Sequence, residues 1–317
     1  MATTLSRRLF TKLSLTGSAV LVAGSSAMGL GAFDPGSKNL IRLGGPVWGD
    51  LKDPNEWVKA IKAKGYSAAL CPVSVGVDEQ TIKLFEKAAK GANIIIAEVG
   101  AWSNPLSPNE GTRKNAIKKC KDSLALAELI GASCCVNVSG SRGDSITGPH
   151  PDNLRKETFD MIVQNTREII DEIKPSRTFF ALEALPWSFP DSPDSYLKLI
   201  KAIDRKQLAV NLDPVNMINS PLKYFNNTGL IKECFEKLGP YIKNCHAKDI
   251  KLRDAYTVHF DDVTLGAGGV DFKTYLTCLS KLNDIPLIME HMTTNEEYEK
   301  AAITLRTIGG SAGIMFY

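Results

Sequence analysis

The chain has 317 residues, 44% of them hydrophobic, with 38 basic side chains against 35 acidic ones and only four histidines. That is enough apolar residue for one sizeable core. The near balance of charge argues against a protein that works by neutralising phosphates, which keeps a basic excess or stripe. Seven cysteines, an odd number with no C-x-x-C spacing, do not make a disulfide framework.

At the N-terminus, Ser6-Arg7-Arg8-Leu9-Phe10-Thr11-Lys12 precedes a mildly apolar stretch of Gly, Ala and Ser running to Ala32. The pattern resembles a twin-arginine export signal, so residues 1–32 are set aside as targeting rather than structure. Cleavage between Ala27 and Ala32 is expected, and no cysteine follows to take a lipid anchor. Removal takes away Arg7, Arg8 and Lys12 with no carboxylate, so 35 basic residues then face 35 acidic ones. The expected location is the periplasm, with no stable membrane anchor after processing. A protein exported folded can take up a metal in the cytoplasm first.

From residue 33 onward, eight apolar, β-rich runs follow at 40–48, 67–75, 93–102, 133–140, 178–186, 208–216, 242–250 and 286–292. Between them lie segments with apolar residues at three- and four-residue spacing, such as 54–65 and 157–173. Asp53-Pro54 and Ser192-Pro193 are helix-start signals. Strands apolar along their whole length suit a parallel sheet covered by helices. The 285 residues that follow the leader are close to the roughly 250 of a (β/α)8 barrel. The reading is α/β, a single TIM barrel over 33–317.

Four of these runs meet a polar residue near the carboxyl end: Glu183, Asp213, His246 and Glu290. In such a barrel all these ends point to one face, where active sites sit. Three carboxylates converging there repel one another without a cation. With one imidazole they form an oxygen-rich site suited to a single divalent ion, Mn²⁺ first, with Mg²⁺, Co²⁺ or Zn²⁺ as alternatives. Any one of the four taken alone reads equally well as a polar residue capping a strand.

These residues carry a resemblance. Glu183 in A-L-E-A-L-P, Asp213 in L-D-P-V-N, His246 in C-H-A-K-D, Glu290 in M-E-H and the glycine-rich segment from Leu265 to Phe272 resemble the sugar phosphate isomerase/epimerase family of xylose isomerase-like barrels. The resemblance covers 40–317. It implies that Glu183, Asp213, His246 and Glu290 hold the metal. Glu183 and Glu290 would also pass a proton next to a sugar carbonyl through an enediolate, giving epimerisation or aldose–ketose isomerisation. Pro149-His150-Pro151 fits a substrate-covering loop in such barrels. Two departures stand out. Asn216 occupies the place of a substrate-holding histidine, and Leu252, between Lys251 and Arg253, that of an arginine. They open a rival reading as a 3-keto-glycoside lyase working with a sugar oxidoreductase. A catalytically inactive carbohydrate-binding protein is the non-enzyme alternative, against which the retained glutamates argue. A nuclease on abasic DNA would need a multi-metal cluster richer in histidine than four residues allow, so no nucleic-acid partner is expected.

The remaining polar residues are assigned by position. Lys248 and Asn216 are substrate-binding candidates, Lys248 reading equally well as a partner of Asp249 or Glu183. His150 and His259 lie in loops on the catalytic side. Trp48, Trp102 and Trp187 fall at or just beyond strand ends, where an indole can stack on a sugar's C–H face. Glu98 and Asn137, late in their strands, are placed to reach the barrel mouth, while His291 is expected to pack between strand and helix. The segment from Gly266 to Gly269 reads either as an anion binder or as a closing loop. Export and the lack of a phosphate-cradling motif favour an unphosphorylated sugar or glycoside as the small-molecule partner. A homo-oligomer is compatible with the sequence.

Overall fold

The computed structural model describes residues 39–317; the leader assigned above lies outside the described residues. The chain runs β1 (Leu40–Gly44), α1 (Pro54–Ala63), β2 (Ala68–Leu70), α2 (Glu79–Gly91), β3 (Ile95–Gly100), α3 (Glu110–Ile130), β4 (Cys134–Val138), α4 (Lys156–Ile173), β5 (Phe180–Glu183) and α5 (Pro193–Ile203). It continues through β6 (Leu208–Leu212), α6 (Pro221–Phe225), α7 (Asn227–Leu238), β7 (Ile242–Ala247), β8 (Asp249–Leu252), β9 (Phe260–Val263), α8 (Phe272–Leu279), β10 (Pro286–Met289), α9 (Asn295–Ser311) and β11 (Met315–Phe316). Strands β1 to β7 pair in parallel in chain order, and β10 closes the ring against both β7 and β1. The result is a (β/α)8 barrel.

The two helix starts form as their residues dictate. Asp53 accepts from the amides of Asn55 and Glu56 ahead of α1, and Ser192 makes a capping box with Ser195 at α5. The main core lies between strands and helices. Inside the ring, mostly small residues pack together: Cys134, Val136, Ala181 and Ala209 in one group, Ala68 and Ala97 against Ile288 in another. Strand parity follows from the period of two. Cys134 joins the interior while its neighbour Cys135 joins the outer core, and all seven cysteines are free. At the opposite end from the strand tips, buried Arg42 binds Asp284 and Asn93 and lies 4.2 Å from the Tyr317 ring.

Three elements differ from the sequence expectation. The second strand shrinks to three residues, since Pro72 leaves the following segment no ladder hydrogen bond to donate. The run at 242–250 splits at Lys248: β7 stays in the barrel, and β8 turns out to pair antiparallel with β9 as a hairpin. A two-residue strand, β11, adds to the start of β1. No described helix is long and apolar enough to cross a membrane.

Candidate metal centre

Glu183 ends β5, Asp213 follows β6, His246 lies near the end of β7 and Glu290 follows β10. Parallel strands in one ring bring these tips to one place, so residues far apart in sequence converge. One ligand-type atom from each lies within 4.8 Å of those from the other three. His246 Nδ1 is 3.1 Å from Glu183 Oε2 and 3.0 Å from Glu290 Oε2. An octahedral ion with bonds of roughly 2.0–2.2 Å spaces its ligand atoms about 3–4.3 Å apart, so the cluster needs only a slight contraction to hold one.

Two tyrosines fix the strand ends from behind. Tyr275 Oη donates to the carbonyls of His246 (2.8 Å) and Leu212 (3.1 Å), and Tyr196 Oη donates to that of Leu182 (3.0 Å). Glu183 is held from both sides by amides: Asn211 Nδ2 donates to Oε2 at 2.7 Å and Asn216 Nδ2 to Oε1 at 2.8 Å. Asn216 is thus engaged with a carboxylate of the cluster. Lys248, buried, sits 2.7 Å from Asp213 Oδ2 and 3.0 Å from Glu290 Oε1. Its partners are therefore Asp213 and Glu290, neither Asp249 nor Glu183. It lies at the end of β7, two residues after His246, and so shares the inward face.

The charges explain one another. Burial pushes the Asp213 carboxyl up to about 6, assisted by Glu290 and Glu183 and resisted by Lys248. Burial likewise raises Glu290, but His246 and Lys248 outweigh it and hold that carboxyl well below its ordinary range. For His246 burial opposes charge, yet Glu290, Glu98 and Glu183 together raise the imidazole well above its usual value. Burial lowers Lys248 too, and Asp213, Glu290 and Glu183 overcome it in the same way. Three converging carboxylates thus draw positive charge from every neighbour that can supply it. A divalent ion supplies that charge directly and leaves the imidazole neutral to act as a ligand. The donor set fits such an ion.

The other candidates are distributed unevenly. Trp102, partly exposed, has its ring centroid 6.4 Å from that of His246. Trp48 packs edge-on against Tyr298, and the Trp187 indole donates to the Thr147 carbonyl; both are about half exposed. His150 accepts from the amide of Asp152 within its own loop. His259 pairs with Asp261 on the exposed hairpin. Two expectations are corrected. Asn137 does not reach the mouth: its parity is that of Cys135, so it turns outward to Cys120 of α3 and to Ser103. His291 is not packed between strand and helix. β10 ends at Met289, and a left-handed backbone at His291 (φ 62°) swings its ring out to Asp262.

Two buried residues of the site were not assigned from the sequence, whereas Glu98 was expected near the barrel mouth. Asn211 and Asn244 each precede a ligand by two, and a period of two gives them the same inward face. Glu98 Oε2 accepts from Asn244 Nδ2 and lies 2.8 Å from His246 Nε2.

The glycine-rich segment has its anion built in. Asp249 accepts backbone N–H bonds from Ile250, Gly266, Gly268 and Val270 at 2.9–3.2 Å. A Cβ on Gly268 would stand 2.2 Å from Asp249 Oδ1 and 2.4 Å from the Ile250 carbonyl, which is why glycine is required there. Asp249→Ala strands four donors and is expected to cost about 2–4 kcal/mol. Urea titration checks this, and an unchanged midpoint would mean the loop closes without the clamp.

The family's sequence profile, described as xylose isomerase-like TIM barrel, matches residues 56–308. The chain belongs to this family. Among curated proteins none is similar in sequence. Solved structures share the fold at low identity. A xylose isomerase-like TIM barrel protein from Mycobacterium smegmatis in complex with magnesium is 15% identical, with 86% of this chain and 97% of that one covered and a TM-score of 0.60. A 3-keto-D-glucoside 4-epimerase from E. coli is 15% identical, with 84% and 99% covered and a TM-score of 0.61. Endonuclease IV from Thermus thermophilus is 13% identical, with 85% and 99% covered and a TM-score of 0.65. One fold thus carries unlike chemistries, and the function of this family member must be argued from its site.

Proposed function

We propose that this protein is a divalent-metal-dependent sugar isomerase or epimerase that removes and returns a proton beside a carbonyl. The observation that carries the reading is the pair Glu183 and Glu290, one on each of two strand tips and both within hydrogen-bond distance of His246 Nδ1. Glu183, Asp213, His246 and Glu290 would hold the ion. Mn²⁺, or alternatively Mg²⁺, Co²⁺ or Zn²⁺, would supply Lewis-acid stabilisation of negative charge on the sugar's carbonyl oxygen.

The chain's own residues do the rest. One glutamate takes the proton from the carbon next to the carbonyl. The other returns a proton to the opposite face, which inverts that carbon; return to the adjacent carbon interconverts aldose and ketose. Asn211 and Asn216 hold Glu183 in one orientation, and the oxygen that does not bind the ion keeps a lone pair for the proton. The Lys248 ammonium, 3.0 Å from Glu290 Oε1, is near enough to hydrogen-bond a substrate oxygen as well. Trp102 offers a flat platform beside His246, with Trp48, Trp187, His150 and His259 as further candidates for substrate contact. The chemistry of the M. smegmatis and E. coli relatives, a magnesium complex and a keto-glucoside epimerase by their names, supports the reading by analogy.

A second reading has a specific observation behind it. Asn216 is spent on Glu183, and Arg253 pairs with Asp261 on the hairpin. The departures noted in the sequence therefore leave two substrate-holding groups without replacements at those positions. A 3-keto glycoside needs only loss of its C2 proton to expel the C1 substituent, so lyase activity fits the same glutamates.

Proton NMR in D2O separates these readings. The metal-loaded protein is incubated with free ketoses and with a 3-keto glucoside, then removed before spectra are taken. Deuterium beside the carbonyl with a new epimer or isomer is the expected result. Release of the aglycone with ketoses untouched assigns the lyase, and silence on every compound removes both and favours a carbohydrate-binding role.

Export by the twin-arginine route is part of the same proposal, supported by the segment from Ser6 to Lys12. Replacing both Arg7 and Arg8 by lysine is expected to retain unprocessed protein in the cytoplasm. Export at the wild-type level in a fractionation assay would count against the route.

A further inference from the structure

We infer that Glu98 is the carboxylate that sets the tautomer of His246 and so aims Nδ1 at the ion; this rests on the metal-site reading above. The two ring nitrogens face different neighbours. Nδ1 is turned to Glu183 and Glu290, whereas Nε2 lies 2.8 Å from Glu98 Oε2. Glu98 stands on the far side of the ring from the other carboxylates and is not one of the four clustered residues. Its own position is fixed: Asn244 Nδ2 donates to the same oxygen at 2.6 Å, and the residue is buried on β3. The Tyr275 hydroxyl holds the His246 carbonyl from behind.

A neutral imidazole has one N–H and one lone pair. With the proton on Nδ1, the Nε2 lone pair would face a buried carboxylate, and two acceptors would meet at 2.8 Å. With the proton on Nε2, Glu98 accepts it and the Nδ1 lone pair points between Glu183 and Glu290. No ion can relieve the clash at Nε2 in the first arrangement, whereas with a cation between Nδ1, Glu183 and Glu290 the second satisfies every one of these groups. It is the form a metal ligand needs, and such outer partners typically contribute about 10- to 100-fold to metal affinity. Glu98 is therefore a positioning residue that acts through His246.

With four histidines in the chain, imidazole ¹⁵N spectra of the Mg²⁺-loaded, ¹⁵N-histidine-labelled protein can report each ring. His246 is expected as the Nε2–H tautomer. Calorimetric titration with Mg²⁺ and Mn²⁺ is expected to give an affinity about 10- to 100-fold lower for Glu98→Ala. Glu98→Gln, whose amide oxygen can still accept from Nε2–H, should keep the tautomer and recover part of the affinity. An Nδ1–H tautomer in the wild type overturns the assignment. So does a folded Glu98→Ala protein that binds both ions like the wild type. If that variant does not fold, the wild-type tautomer and Glu98→Gln decide. A wild type that binds neither ion brings down the metal-site reading itself, and is recognised from its titration alone.

Discussion

Glutamine at position 183 or 290 is expected to cut deuterium incorporation beside the sugar carbonyl by about 10²- to 10⁴-fold, the usual contribution of a positioned acid–base group. The substitution keeps length and shape but removes the ability to accept and release a proton. The two variants should differ in stability. Both oxygens of Glu183 accept from amide donors, Asn211 and Asn216. An amide nitrogen in place of either oxygen sets donor against donor, so Glu183→Gln loses a buried hydrogen bond, about 1–3 kcal/mol. Glu290→Gln escapes that conflict when His246 is neutral with its lone pair on Nδ1, since the glutamine oxygen still accepts from the Lys248 ammonium and its nitrogen faces that lone pair. NMR exchange rates with thermal melting for each variant check both halves. Exchange at the wild-type rate in either protein removes that residue from the acid–base pair.

Lys248→Met is expected to destabilise the metal-free protein by about 3–5 kcal/mol at pH 7. The ammonium is the counter-charge beside Asp213 and shares Glu290 with the His246 imidazole at the same 3.0 Å, and removing one partner of a buried ion pair strands the others. The methionine fills much the same volume, so lost packing contributes little. Divalent ions should restore most of the loss, because they bind the folded state and supply the missing charge. Urea titrations with and without Mg²⁺ test this. An equal loss in both conditions would assign Lys248 to packing rather than to charge balance.

The barrel was legible because eight apolar runs alternate with helical periodicity, and parallel closure then follows from chain order. The four clustered residues were legible for the same reason: each sits at a strand tip, and the fold brings tips together. Glu98 was visible as a late strand residue, but its partners Asn244 and His246 lie about 150 positions away, and no local pattern connects them. Asn211 and Asn244 could have been found by counting back two from Asp213 and His246. Asn137 was misplaced for want of the same count, since parity with Cys135 sends it outward. The hairpin of β8 and β9 escaped notice because only Lys248 separates β8 from β7, with no glycine or proline to mark the change. His291 depended on one left-handed residue, a conformation that its neighbours in sequence do not announce. The partner of Lys248 lay across the barrel rather than beside it in the chain.

The carboxylate of Asp249 inside the glycine-rich loop bears on which molecules can compete for that loop. Amide groups wrapped around an anion are a ready seat for phosphate, but here the seat is taken by a group tethered to the same backbone. A phosphate ester from solution would have to displace a resident whose effective concentration is set by the chain itself. The loop therefore discriminates by occupancy rather than by shape. A sugar that brings only hydroxyls to the barrel mouth meets no such incumbent.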